Sequence, residues 1–334
     1  MNSNFDLKIE FARLSKYINK SFSNLFQHNK NNKLYDAFKY AIEGGGKRIR
    51  PILTMISAGA MGLNPENAIT PALSIEILHN FTLLHDDIID NSPIRHGMPT
   101  VYKKWNNDIA ILSGDMMIGY AFKILQLNNN FDSGTIAKLT NTLSNALIDV
   151  CLGQELDIDF NTSNKVSFDD YLKMIKLKTS SLLCCAVKLG LICANATDDV
   201  VYALNNYALI FGIVFQIQDD MLDFNANNIK FGKKLGQDIF EQKKSFPIIK
   251  SRQLATEQTD IDFIEKYFAN EIVPTEEVVI RFIKIFNKLN IPKIAENTIA
   301  SYIEDAKKHI SILPANNYSK MLDWLLHYIL KRDY

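Results

Sequence analysis

The sequence predicts an all-α chain folded as one large helical domain, and three observations carry that reading. Apolar residues recur at intervals of three and four along most of the 334 residues, the repeat of a helix with one buried face. Alternation with a period of two is scarce, and no Asn-Gly pair marks a tight hairpin. No Pro-, Gly- or Ser-rich linker divides the chain, so a single domain over 1–334 is the expectation, although the length alone would allow more than one.

In chain order, the repeat places helices over 5–26 and 34–42. A third, over 51–61, is opened by Pro51, and a fourth, over 71–89, by Pro71; proline is tolerated in a first turn, where its missing N–H has no intrahelical partner. Further helices are expected over 108–127, 133–159 and 168–194. Asp198 opens one over 198–224, and Asp238 lies in the first turn of one over 238–254, since a carboxylate suits the positive end of a helix. Shorter helices complete the C-terminal part. Asn-rich patches at 28–33, 127–130 and 225–228 read as loops.

A hydrophobic content of 47% is enough for a sizeable core. Lys plus Arg and Asp plus Glu both total 37, so bulk charge favours neither nucleic acid nor an anionic membrane surface as a partner. Cys151, Cys184, Cys185 and Cys193 show no CxxC spacing. A zinc site or disulfide framework is therefore not expected, and the four read as small buried hydrophobes. The start, MNSNFDLKIEF, has no apolar leader core, and Lys188 and Asp219 interrupt the longest apolar runs. The expectation is a cytoplasmic protein with no stable membrane anchor.

Against that background, two segments stand out: LLHDDIID from Leu83 and IQDDMLDF from Ile217. Each places Asp-Asp-x-x-Asp in an apolar frame, 133 residues apart. On a helix, Asp86 and Asp90 lie one turn apart on one face, with Asp87 beside them, and Asp219, Asp220 and Asp223 repeat the pattern. Crowded carboxylates resist ionising unless a cation neutralises them. Oxygen-only ligands favour a hard ion, and Mg²⁺ is typically held by one or two carboxylates together with substrate phosphates. Two solvated helix ends are the plainer alternative, which the repetition argues against. The EF-hand glycine and ligand spacing are missing.

A phosphate also needs cations from the protein, and GGGKRIRP at 44–51 offers Lys47 and Arg50 next to three glycines that permit close backbone approach. It matches neither a Walker A loop nor a dinucleotide fingerprint.

GGGKRIRP, EILHNFTLLHDDIID, GQELDI, LKTSSL, FQIQDDMLDF and GKKLGQDIFEQKKSFP, in that order, resemble the trans-isoprenyl diphosphate synthases, the polyprenyl synthetase family, of short-chain type. The resemblance runs from about residue 34 to the C-terminal helix. It implies an isoprenoid synthase fold, a single large helical bundle with a central cavity. It implies head-to-tail condensation of an allylic diphosphate with isopentenyl diphosphate, giving a C15–C20 product. The allylic diphosphate would be held through Mg²⁺ by Asp86, Asp87, Asp90, Asp219, Asp220 and Asp223. About three ions would act per site, with Mn²⁺ as a substitute. Arg95, Lys178 and Lys233 match allylic diphosphate contacts. Lys47, Arg50 and His79 match the isopentenyl diphosphate site. Thr179 and Gln216 match polar groups near the developing cation, and Lys243 the lysine of a Lys-x-Thr-x-Pro stretch in which Ser245 here replaces Thr. A homodimer is also implied.

Metal draws charge from the leaving diphosphate, preorganised cations stabilise the departing oxygens, and an apolar pocket shields the allylic cation from water. No Ser or Cys nucleophile is required. One position departs from the family: Arg95-His96-Gly97 stands where Arg-Arg-Gly is usual. A histidine with its ordinary pKa of about 6.5 is only partly charged at neutral pH, so weaker isopentenyl diphosphate binding that improves on acidification is expected.

Chain length would be set on the helix before Asp86. Thr82 lies four residues earlier on nearly the same face. In this family an aromatic residue at the position of Phe81 often limits the product to a short chain, a plain core residue being the alternative, and the missing two-residue insertion in the first motif leans toward C20 or a promiscuous short-chain enzyme. Lys230, Lys233 and Lys234 stand in the loop 225–237, which reads either as a lid over the diphosphate or as a solvated loop, with motif support for Lys233 alone. Lys331 and Arg332 either reach back toward the diphosphate or simply suit a helix C-terminus. A longer-chain synthase, a terpene cyclase and a non-catalytic partner subunit are the alternatives. The second aspartate motif and the basic loop argue against a cyclase, and the six aspartates against the silent subunit.

Overall fold

The computed structural model describes residues 5–26, 32–127, 130–224 and 235–330. It is all-α apart from one two-residue hairpin. Its contacts gather in two compact units, each assembled from non-contiguous segments.

The first unit comprises Met1–Leu147, Leu182–Asn205 and Ile312–Trp324. It holds α1 (Leu7–Leu25), α2 (Lys33–Glu43), α3 (Ile49–Ala60), a 3₁₀ turn (Pro65–Ala68), α4 (Ile69–Ile89), the hairpin β1–β2 (Ile94–Arg95 and Met98–Pro99), α5 (Val101–Lys104) and α6 (Asn107–Leu125). Asp6 starts α1 by accepting from the N–H groups of Lys8 and Ile9, which fills two otherwise orphaned donors. Every residue of α3 from Pro51 to Ala60 is buried, as an all-round apolar helix requires. Gly190 of α9 (Ser181–Cys193) explains how a neighbour comes so close to it. A Cβ there would sit 2.1 Å from the Thr54 carbonyl oxygen. α4 packs between α3 and α6 and carries the first acidic motif at its C-terminal end.

The second unit comprises Ile148–Ser181, Asn206–Ser311 and Leu325–Tyr334. It includes the latter part of α7 (Ser133–Thr162), α8 (Phe168–Ile175), a π-helical turn (Lys176–Ser180) and the latter part of α10 (Asp198–Leu222). α11 (Gln237–Phe240), α12 (Phe246–Leu254), α13 (Gln258–Phe268), α14 (Glu276–Lys288) and α15 (Ile291–Ile310) follow, with the end of α16 (Asn317–Leu330). Its core is aromatic. Tyr267 and Phe263 lie 4.9 and 5.0 Å from the ring of Phe282, within the range of favourable ring pairing, and Phe246, Phe268 and Ile217 are buried in the same cluster. An apolar cavity of ≈ 760 Å³ is lined by α10, α14, α15 and α16 residues, among them Met221, Phe286, Ile303 and His327.

Most expected helices are present within two or three residues of their limits. The hairpin was not expected: its turn is His96-Gly97, with φ of 50° and 77°. That geometry usually uses Asn-Gly, but histidine also tolerates the left-handed region. The helix expected over 238–254 is broken into α11 and α12. Gln242 takes φ 56°, and Pro247 fits only the first turn of a new helix. Cys151 is exposed, unlike the three other cysteines, so reading all four as buried hydrophobes fails there. α10 is long and apolar enough to cross a membrane because its acids sit at its ends, but 61% of its apolar stretch is buried in the protein.

Candidate active site

In the first unit, α4 presents His79, Phe81, Thr82, Asp86 and Asp87, and Asp90 caps its C-terminus. Asp86 and Asp90 are half-buried, while Asp87 is turned inward. The hairpin folds Arg95 back onto it, with Arg95 Nε 2.7 Å from Asp87 Oδ1. Burial pushes the Asp87 carboxyl up, and the Arg95 charge and hydrogen bond pull it down.

The basic loop stands near the same hairpin. Gly45 and Gly46 take φ of 103° and 108°, conformations open to glycine at no steric cost. A Cβ at Gly46 would meet His96 Cε1 at 3.9 Å. Lys47 and His96 are exposed. Arg50 reaches His79, with Nη1 2.9 Å from Nε2. Burial pushes the His79 imidazole well below its ordinary range, and Arg50, Arg95, His96 and Arg48 push it the same way. The ring is therefore neutral, Nε2 accepts from Arg50, and the proton sits on Nδ1. Burial likewise lowers Arg50, to about 10, against the nearby charge of Glu76. Arg50 Nε and His79 Nδ1 are both buried with no hydrogen-bond partner. Two such donors side by side are costly unless a ligand or water satisfies them.

Phe81 is buried, its ring edge-on to His85 at 4.7 Å, and Thr82 Oγ1 donates to the His79 carbonyl at 2.8 Å. His85 packs against the neighbouring helix α6. It fills the space left by Gly114, where a Cβ would lie 2.4 Å from its Nε2.

In the second unit, α10 carries Gln216, Asp219 and Asp220, and Asp223 follows its last turn. Asp219 is exposed. Asp220 is buried and accepts from Tyr171 Oη at 2.6 Å, the Phe246 N–H at 2.8 Å and Gln216 Nε2 at 2.8 Å. Burial raises its pKa to about 6, against these three hydrogen bonds. Thr179 Oγ1 donates to Gln216 Oε1 at 2.8 Å, so Thr179, Gln216, Asp220 and Tyr171 form one connected chain. Asp223 accepts from the N–H groups of Gln237 and Asp238. Lys178 pairs with Asp157 at 2.6 Å, and Lys243 with Glu241 at 2.5 Å.

Lys178 and Thr179 belong to the π-helical turn, a form often found where a helix carries function. Glycines press it from two helices. A Cβ on Gly153 of α7 would lie 2.3 Å from the Lys178 nitrogen, and one on Gly212 of α10 would lie 2.2 Å from Ser180 Oγ. The glycine of GQELDI thus gives the turn room.

Several residues went unassigned in the sequence. Asp157 and Gln154 stand in GQELDI, and the Gln154 amide is buried with neither atom hydrogen-bonded. Asp238 was read only as a helix-start residue. Burial, with Asp223 and Asp220 close by, pushes its carboxyl well above the usual range. Nothing in the sequence marks Tyr171. Lys230, Lys233, Lys234, Lys331 and Arg332 lie outside the described residues.

Among the described residues, no three His, Cys, Asp or Glu side chains converge to hold a metal by themselves. The donors nevertheless suit Mg²⁺, which completes its octahedron with water and phosphate oxygens. Of the six motif aspartates, Asp219 is exposed, Asp86, Asp90 and Asp223 are half-buried, and Asp87 and Asp220 are buried.

The family model for polyprenyl synthetase matches residues 31–279. The geranylgeranyl diphosphate synthase of Methanosarcina mazei is 34% identical over 325 residues, 97% of this chain and 98% of that one. The geranylfarnesyl diphosphate synthase of Natronomonas pharaonis is 27% identical over 350 residues, covering 100% of each chain. The crystal structure of a geranylgeranyl pyrophosphate synthetase from Pyrococcus horikoshii superposes with a TM-score of 0.87 at 31% identity, over 97% of this chain and 98% of that one.

Proposed function

This chain belongs to the polyprenyl synthetase family, and we propose that it joins an allylic diphosphate head-to-tail to isopentenyl diphosphate, releasing a C20 or C25 prenyl diphosphate. It is a short-chain prenyltransferase. The observation that carries the reading of its site is the pair of buried, unsatisfied donors, Arg50 Nε and His79 Nδ1. They suit an anion, and we assign them, with Lys47 and His96, to the diphosphate of isopentenyl diphosphate.

Mg²⁺ would be held by Asp86 and Asp90 in the first unit and by Asp219 and Asp223 in the second, and would neutralise charge on the leaving diphosphate. Arg95 and Lys178 add donors for it, each braced by a carboxylate: Asp87 and Asp157. Asp87 and Asp220 act on this reading as braces rather than ligands. Thr179 and Gln216 turn oxygens toward the allylic carbon as it becomes positive, and their mutual hydrogen bond fixes that orientation. Phe81 is proposed as the floor that limits the chain. The relatives named for geranylgeranyl and geranylfarnesyl products support a length at or just above the upper end of the C15–C20 expectation.

We read the protein as a homodimer. The exposed Ile111 and Leu112 on α6 support this, and analytical ultracentrifugation tests it. The activity is tested by incubating the protein with Mg²⁺, labelled isopentenyl diphosphate and C5, C10 or C15 allylic diphosphates, then sizing the products. Elongated prenyl diphosphates are expected. A cyclised hydrocarbon formed without isopentenyl diphosphate would mean a cyclase, and absence of turnover a silent subunit.

A further inference from the structure

We infer that Arg48, the arginine of the basic motif that points inward, is a positioning residue that fixes Lys47 and Arg50 for isopentenyl diphosphate. The inference rests on the reading of that site given above. Arg48 is 5% exposed, too enclosed to meet a substrate. Its guanidinium is spent on the protein. Nη1 lies 2.7 Å from Glu76 Oε1, Nε donates to Asn19 Oδ1 at 3.0 Å, Nη2 donates to the Ile42 carbonyl, and the group sits 5.7 Å over the Phe22 ring. Three helices are thereby tied to one loop residue: α1 through Asn19 and Phe22, α2 through Ile42, and α4 through Glu76. α1 lies outside the residues matched by the family model.

The loop needs such a tie. Gly45, Gly46 and Arg48 all have positive φ, and Arg48, at 53°, is the one with a side chain to strain. An L residue keeps that conformation only where its surroundings over-determine it. Lys47 precedes Arg48 and Arg50 follows it by two, so a relaxed Arg48 would re-aim both. Glu76 serves twice, because its charge also supports the buried charge of Arg50. Lysine cannot replace this arginine, since a single ammonium cannot span three acceptors in fixed directions.

The test uses the full-length protein with Arg48→Lys, with Glu76→Gln, and with the paired change Arg48→Met and Glu76→Leu. The paired change replaces a buried ion pair by apolar groups, which commonly preserves stability. Calorimetric binding of isopentenyl diphosphate, steady-state kinetics and thermal unfolding are the readouts. All three variants are expected to raise Kd and KM for isopentenyl diphosphate about tenfold or more while kcat and the allylic KM stay within about threefold, the pattern of lost ground-state binding. Parent-like isopentenyl diphosphate affinity in a stably folded paired variant would show that the ion pair serves stability alone, and would overturn the inference. If the paired variant does not fold, Asn19→Ala, which keeps the ion pair, takes its place; an unchanged KM there is equally fatal. Lys47→Ala and Arg50→Met separate the two layers. If they weaken binding and the Arg48 variants do not, only the positioning role falls. If they have no effect, the assignment of the site falls, and Arg48 has nothing to position.

Discussion

His79 stays neutral among positive neighbours, and that has a sign in the stability. An unfolded chain protonates this histidine near pH 6.5, while the folded protein holds its pKa well below that through burial and the charges of Arg50, Arg95, His96 and Arg48. The unfolded state therefore binds more protons as pH falls below about 6.5, so stability present above that pH is lost beneath it. His79→Asn should flatten the decline in Tm between about pH 7 and about pH 5, measured by calorimetry against the parent; parallel curves would show that His79 contributes nothing to it. His96 makes the opposite case for binding. It is exposed beside Gly46, and an imidazole gains charge as pH falls. His96→Arg should tighten isopentenyl diphosphate binding several-fold at neutral pH, by the ~1 kcal/mol of a partly exposed charge contact, and abolish the gain on acidification. Identical titrations for the two proteins would dismiss a role for His96. The sequence shows that Asp86 and Asp90 share a face. That Asp87 and Asp220 turn inward depends on Arg95, Tyr171 and Phe246, partners no helical repeat reveals.

At the level of elements, the helices were legible because burial of one face imposes its repeat on the residues. The hairpin was not, because its turn uses His96 where asparagine is the usual signal. Nor was the π-helical turn within the helix expected over 168–194, since one extra residue in a turn leaves an apolar run looking unbroken. Its determinants lie elsewhere in the chain, at Gly153 and Gly212. Gly153→Ala drives a methyl group into backbone at Lys178, which cannot yield as a flexible side chain would. We expect a loss of about 1–3 kcal/mol of stability from overpacking, together with a fall in kcat larger than that of an alanine placed on the exposed face of α7. Full activity with a lowered Tm would mean the turn's shape is not needed for catalysis.

At the scale of the whole molecule, product length is read through Phe81, the floor proposed above. Phe81 is packed edge-on against His85, which in turn occupies the space over Gly114. Phe81→Ala should release longer prenyl diphosphates at a cost of about 3–5 kcal/mol in stability, as for other buried aromatic truncations. Thin-layer or mass analysis of the products decides it, and an unaltered distribution would remove Phe81 from the floor.

The interleaving of the two units bears on how the chain is made. Unit one recruits Ile312–Trp324, where Tyr318 stacks into the hollow at Gly59 and hydrogen-bonds Glu10. A nascent chain therefore cannot complete this unit until Ile312–Trp324 has been synthesised. Loss of Ile312–Trp324 would strip a wall from that unit.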